Sequence, residues 1–123
     1  MELESITGRI IRCAMKVHSA LGPGLLESAY RACLSQELLS QGTSLRCDLP
    51  LPVHYNGVQV NVGYRLDMLV EDLVIVELKS VQKLLAVHEA QLLSYLKLSK
   101  RPVGLLINFN VVHLRHGIRR KVL

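Results

Sequence analysis

The amino-acid sequence predicts an α/β domain in which helices flank a mixed sheet. Two changes of hydrophobic period and one crossover carry that expectation. Apolar residues recur at helical spacing through residues 6–38 and alternate as in a hairpin from residue 51 onward. They then run almost unbroken through residues 73–79 and again through 103–109. A helical stretch separates these last two runs, and strands joined through a helix pair in parallel.

Taken in order, Ile6, Ile10, Cys13, Ala14, Val17 and Leu21 form the apolar stripe of a first helix. Gly22-Pro23-Gly24 ends it, because glycine can cap a helix and proline cannot extend one. A second helix is expected over residues 25–40, with Leu26, Ala29, Tyr30, Cys33, Leu34 and Leu38 facing the core and Gly42 as its stop. Asn56-Gly57, set between Leu51-Pro52-Val53-His54-Tyr55 and alternating Val58, Val60 and Val62, is a strong hairpin signal. Its second strand is expected to continue through Tyr64 to Val70 with a bulge at Gly63. Glu71-Asp72 turns the chain into residues 73–79, which read as a strand buried on both faces. A third helix follows over residues 84–99, Pro102 resets the chain, and residues 103–109 form the last buried strand. Residues 111–114 are expected to add a short edge strand. No linker, repeat or low-complexity stretch interrupts residues 1–123, so one domain is expected.

Composition narrows the functional classes. Half of the 123 residues are hydrophobic, which excludes a disordered chain. No apolar run is long enough to span a membrane, and the acidic start Met1-Glu2-Leu3-Glu4-Ser5 lacks a secretory h-region. Cys13, Cys33 and Cys47 show no CxxC spacing and read as small hydrophobes of a reducing cytoplasm. The formal net charge of +5, with basic residues thickening from Arg115 to Lys121, fits a polyanionic partner. No Walker loop, dinucleotide fingerprint or serine-nucleophile context occurs; His18, His54, His113 and His116 have no ligand spacing, and His88, three residues before Gln91, reads as a surface histidine rather than a lining of the same cleft.

The chemistry concentrates in Asp67, Glu77 and Lys79, charged residues inside an otherwise apolar hairpin. Buried charge is costly unless it is paired or binds a metal. Side chains alternate along a strand, so Glu77 and Lys79 share a face. A two-residue turn would put Asp67 and Glu77 on opposite faces. A three-residue turn at Glu71-Asp72-Leu73 sets them directly opposite, with Cβ atoms about 4.5–5.5 Å apart, and that register is expected. Oxygen ligands from both carboxylates and the Leu78 carbonyl suit Mg²⁺ or Mn²⁺. Lys79 would then orient a water or neutralise charge on a phosphate. The competing reading is a structural salt bridge between Lys79 and one acid. Elsewhere, Gly24, Glu27 and Tyr30 are spaced by three at the start of the second helix. Glu27 is either a helix-start acid, favoured by the dipole, or a further metal ligand. Gln91 and Tyr95 lie one helical turn apart and face the same way.

Gly24-Leu25-Leu26-Glu27-Ser28-Ala29-Tyr30, Asp67, Glu77-Leu78-Lys79, Gln91-Leu92-Leu93-Ser94-Tyr95-Leu96 and Gly104-Leu105-Leu106-Ile107-Asn108-Phe109 together resemble the GxxExxY proteins, a family placed in the PD-(D/E)xK nuclease superfamily. The resemblance covers nearly the whole chain. It implies a restriction-endonuclease-like αβββαβ core, Asp67, Glu77 and Glu27 as metal ligands, and Lys79, with Asp67 and Glu77, as catalytic. Gln91 and Tyr95 resemble the QxxxY motif of RecB-type nucleases, which supports the site and contacts nucleic acid; Tyr30 is expected to support it too. Leu66 stands where the pattern opens on proline, and Asn110 where a glycine after Asn-Phe is more usual.

The expected function is a Mg²⁺- or Mn²⁺-dependent nuclease with nucleic acid as partner and water as nucleophile. The alternative keeps the fold but binds nucleic acid or a protein partner without cleaving it. A homo-oligomer is left open.

Overall fold

The structure, a computed structural model, describes residues 2–123. Two helices, α1 (Leu3–Leu21) and α2 (Glu27–Ser40), precede strands β1 (Leu45–Pro50), β2 (Val53–Tyr55), β3 (Val58–Val60), β4 (Arg65–Val70) and β5 (Val74–Lys79). Helix α3 (Ala86–Ser99), β6 (Val103–Asn108), a 3-10 turn at Leu114–Gly117 and β7 (Ile118–Val122) complete the chain. The main sheet has the order β1-β4-β5-β6-β7. Only β5 and β6 run parallel, as expected for strands joined through α3; the other neighbours are antiparallel.

The sheet is covered on both faces. Ile6, Ile10, Ala14 and Val17 of α1 and Tyr30, Leu34 and Leu38 of α2 pack on Met68, Val76, Leu78, Leu105 and Ile107. Leu92, Tyr95 and Leu96 of α3 pack on Leu66, Leu69, Ile75 and Leu106 from the other side. The helix lies close because β6 offers Gly104 beneath it: a Cβ there would stand 2.7 Å from the Leu92 side chain. Burying these apolar stripes is the main favourable term holding the layers together.

Several local expectations are corrected. Helix α2 starts at Glu27, so Gly24 lies outside it and Leu26, expected on its core stripe, precedes it and is 77% exposed; Glu27 is exposed while Tyr30 is fully buried, and Gly24, Glu27 and Tyr30 do not share one side. The Asn56-Gly57 hairpin forms, with both turn residues at positive φ, but as a separate two-stranded sheet. Residues 61–64 are irregular, so β3 does not run on into β4 through a bulge at Gly63. The expected edge strand at 111–114 lies instead at β7, within the basic tail. Strand β1 is an edge that the sequence reading missed. Cys13 is buried and Cys33 half-buried, whereas Cys47 is exposed; all three thiols are free.

Candidate active site

Strands β4 and β5 pair Val70 with Val74, Leu69 with Ile75 and Met68 with Val76, leaving Glu71-Asp72-Leu73 as a three-residue turn. Glu71 and Asp72 both take left-handed φ, which aspartate adopts more readily than glutamate does. The next step of the register is Asp67 opposite Glu77, and there the ladder opens. The Asp67 N–H donates to Glu77 Oε1 at 3.2 Å, and the Leu78 N–H donates to Asp67 Oδ2 at 2.9 Å. Each acid therefore stands in for a missing backbone partner across the gap.

A kink on the far side of β4 helps to open it. Asp48 of β1 has φ +56°, and its pairing with β4 is interrupted between Cys47↔Met68 and Leu49↔Leu66. Arg65 holds the kink with its Nε 2.6 Å from Asp48 Oδ1. Leu66 and Leu69 consequently join the same core under α3 although they are three residues apart. Such local twists re-aim strand side chains.

Glu77 is only 7% exposed. Burial, reinforced by the neighbouring Asp67 charge, pushes its carboxyl pKa up to about 8. Lys79, next on the same face, pulls in the opposite direction but more weakly. Lys79 closes no ion pair with either acid among the described residues, so the simple salt-bridge reading is not what forms. The ion pair at the site comes instead from α2, where Arg31 Nη1 lies 3.7 Å from Asp67 Oδ1. Sequence reasoning missed Arg31; its position one turn beyond Glu27 was the available signal.

The oxygen donors fit a hard divalent cation. Two carboxyls meet, and one of them is buried with too little positive charge nearby to favour its ionisation. The Lys79 carbonyl accepts from the N–H of Phe109, just past the end of β6, which leaves the Leu78 peptide group turned toward β4, where the ladder has ended. Glu27 is not brought to this pair. Among the described residues no three His, Cys, Asp or Glu side chains converge, and Glu27 lines a depression of about 440 Å³ with Leu25, Leu26, Ser28, Arg31 and Ser80.

Helix α3 brings Gln91 and Tyr95 to the opposite side of the acids. Burial first, then the charges of Glu77, Tyr64 and Asp67, raise the Tyr95 phenol pKa, while a hydrogen bond from Gln91 acts against that rise. Gln91, Ser94 and Tyr95 line a cleft with Tyr64, whose ring centre is 5.9 Å from that of Tyr95.

Tyr30 lies elsewhere. It stacks on Phe109 at 4.4 Å in the α1–α2 core, donates to the Gly22 carbonyl at 2.6 Å and accepts from the Leu25 N–H at 3.1 Å. The Leu25 carbonyl in turn takes the Ser80 hydroxyl at 2.6 Å, which ties this loop to the residue after Lys79. Buried this way, Tyr30 can support the site but cannot touch a substrate. Asn108 is a second support. Its amide accepts from the Val81 and Asn110 N–H groups and donates to the Val81 carbonyl, clamping the loop that leaves β5. Asn110 adds a contact to the same carbonyl and has no positive φ, so this turn does not require glycine.

This arrangement of β4, β5 and α3 agrees with the comparison with known families, in which the model described as the PD-(D/E)XK nuclease superfamily matches residues 4–121. The chain belongs to the PD-(D/E)XK nuclease superfamily. No curated protein and no solved structure matches it. Its five-stranded mixed sheet between helices agrees with the restriction-endonuclease-like fold of that superfamily. PD-(D/E)XK membership points to nuclease activity on nucleic acid, and does not favour a catalytically silent module. PD-(D/E)XK nucleases generally depend on a divalent metal. No helix is long and apolar enough to cross a membrane.

Proposed function

We propose that this chain is a Mg²⁺- or Mn²⁺-dependent nuclease of the GxxExxY type, hydrolysing phosphodiester bonds with water as nucleophile. The observation that carries the reading is the Asp67–Glu77 pair at the opened end of β4 and β5, with Lys79 beside it. Two adjacent carboxyls, one of them almost sealed from water, are poorly stabilised by one lysine and a loosely paired arginine, and a divalent cation would supply what is missing. Asp67, Glu77 and the Leu78 carbonyl would hold it, with Glu27 farther out at the neighbouring depression. A cation held there would supply an acidified water and polarise a phosphoryl oxygen.

The remaining roles belong to the chain. Lys79 orients the attacking water and neutralises charge that develops on the phosphate. Gln91 and Tyr95 position the nucleic-acid backbone from α3, and Tyr30 holds the α1–α2 connection against Ser80. The rigid apolar β5 keeps Glu77 and Lys79 in a fixed relation.

Calorimetric titration with Mg²⁺ and Mn²⁺, paired with cleavage assays on a panel of DNA and RNA, tests this reading. Wild type should bind metal and cleave at least one substrate. Asp67→Ala should lose metal binding. Lys79→Ala should keep it while cleavage falls by roughly a hundredfold or more. Metal binding without cleavage of any substrate would return the catalytically silent module to first place.

A further inference from the structure

We infer that Arg31 is a phosphate-binding residue of this site, held against Asp67 until a divalent cation takes over that carboxylate. The inference rests on the nuclease reading above and adds a substrate-contacting group to it. Arg31 reaches the acids from α2, on the side away from Gln91 and Tyr95. Its Nη1 lies 3.7 Å from Asp67 Oδ1, close enough for an ion pair but too long for a hydrogen bond. No other acid within the described residues pairs with it. The side chain is 37% exposed and lines the open depression shared by Glu27, Ser28 and Ser80. A guanidinium whose donor fork is uncommitted, at the rim of a solvent-filled hollow, is suited to grip a phosphate through two parallel hydrogen bonds.

Charge counting gives the sequence of events. Without a cation, Arg31 offsets the Asp67 carboxylate. With a divalent cation bound, the two ionised acids are neutralised, and Lys79 and Arg31 are left with two uncompensated positive charges. One lies on β5 and the other on α2, so an anionic backbone passing over the acids meets positive charge on both sides. Cation and phosphate binding should therefore reinforce each other through Arg31, and such coupling is reciprocal. Arg31 also repels the incoming ion in the free protein, so its removal should not weaken cation binding.

Fluorescence anisotropy of short labelled DNA and RNA, single- and double-stranded, measured in Ca²⁺ and in EDTA, reads this out alongside calorimetric Ca²⁺ titration without nucleic acid. Arg31→Ala should bind Ca²⁺ at least as tightly as wild type, yet lose roughly tenfold in Ca²⁺-dependent nucleic-acid affinity. The slope of log affinity against log salt should fall by about one. Arg31→Lys should recover the slope but only part of the affinity, since it keeps the charge without the fork. Nucleic-acid binding by Arg31→Ala equal to wild type overturns the inference alone. Weakened Ca²⁺ binding in Arg31→Ala also overturns it, because Arg31 would then be shaping the acids rather than waiting for phosphate. Wild type that binds Ca²⁺ but neither DNA nor RNA overturns both this inference and the nuclease reading.

Discussion

Pressed against Asp67 and almost sealed from water, the Glu77 carboxyl keeps its proton up to about pH 8, whereas in an unfolded chain it would lose it near the ordinary value of 4.5. Between those values the native state binds more protons than the unfolded state. This residue therefore makes stability fall as pH rises through that window, with no further change below or above it. A shift of this size corresponds to a few kcal/mol at most. Melting temperatures of the metal-free protein should decline from about pH 5 to about pH 8, and Glu77→Gln should flatten the decline. A variant curve parallel to wild type would place the proton elsewhere. Metal binding should tighten over the same window and release a proton, which calorimetry in buffers of different ionisation enthalpy detects.

Individual elements hold the site in place through a few tight approaches. The Asn108 amide makes two hydrogen bonds to Val81 in the loop after β5 and one to the Asn110 N–H, so Asn108→Ala should cost about 2–3 kcal/mol and raise hydrogen exchange in the loop that follows β5. At Gly117 an added Cβ would collide with the Asn108 carbonyl oxygen, a backbone atom that cannot swing away. Gly117→Ala should therefore destabilise more than Gly104→Ala, whose clash is with the movable end of Leu92. Chemical denaturation of the two variants side by side checks the order. The β2–β3 hairpin has the opposite character. Tyr55, Val58 and Val60 are exposed and form no part of either core, so replacing residues 53–60 by a short turn should leave the fold intact and change the melting point little.

For the whole molecule, where the charges sit matters more than the net +5. The basic tail is not a free arm. It forms edge strand β7, where Arg120 pairs with Glu4 at 2.9 Å and Lys121 with Glu89 at 2.5 Å. Arg46 and Arg101 share Asp72. Neutralising Arg120 and Lys121 together should therefore lower DNA affinity less than Arg31→Ala does, in matched salt titrations. The lost pairs should cost little stability, because exposed ion pairs are weak. Positive charge on an edge strand also discourages pairing with a second sheet.

Local pattern was enough for every element that buries a regular apolar face. The stripes of α1 and α2, the Asn56-Gly57 turn, the crossover through α3 and the three-residue turn before Val74 were all legible, because side-chain period and turn chemistry act within a few residues. The register that sets Asp67 opposite Glu77 was legible for the same reason. Strands β1 and β7 were not. Leu45–Pro50 and Ile118–Val122 are edges rich in polar and charged residues, and they become strands only because β4 and β6 offer unpaired backbone. The placement of Glu27 away from the acids and of Arg31 against them was likewise decided by how α2 packs on the sheet. Sequence alone determined which carboxylates and lysine stand on the hairpin. Only long-range packing decided which cation from a distant helix faces them.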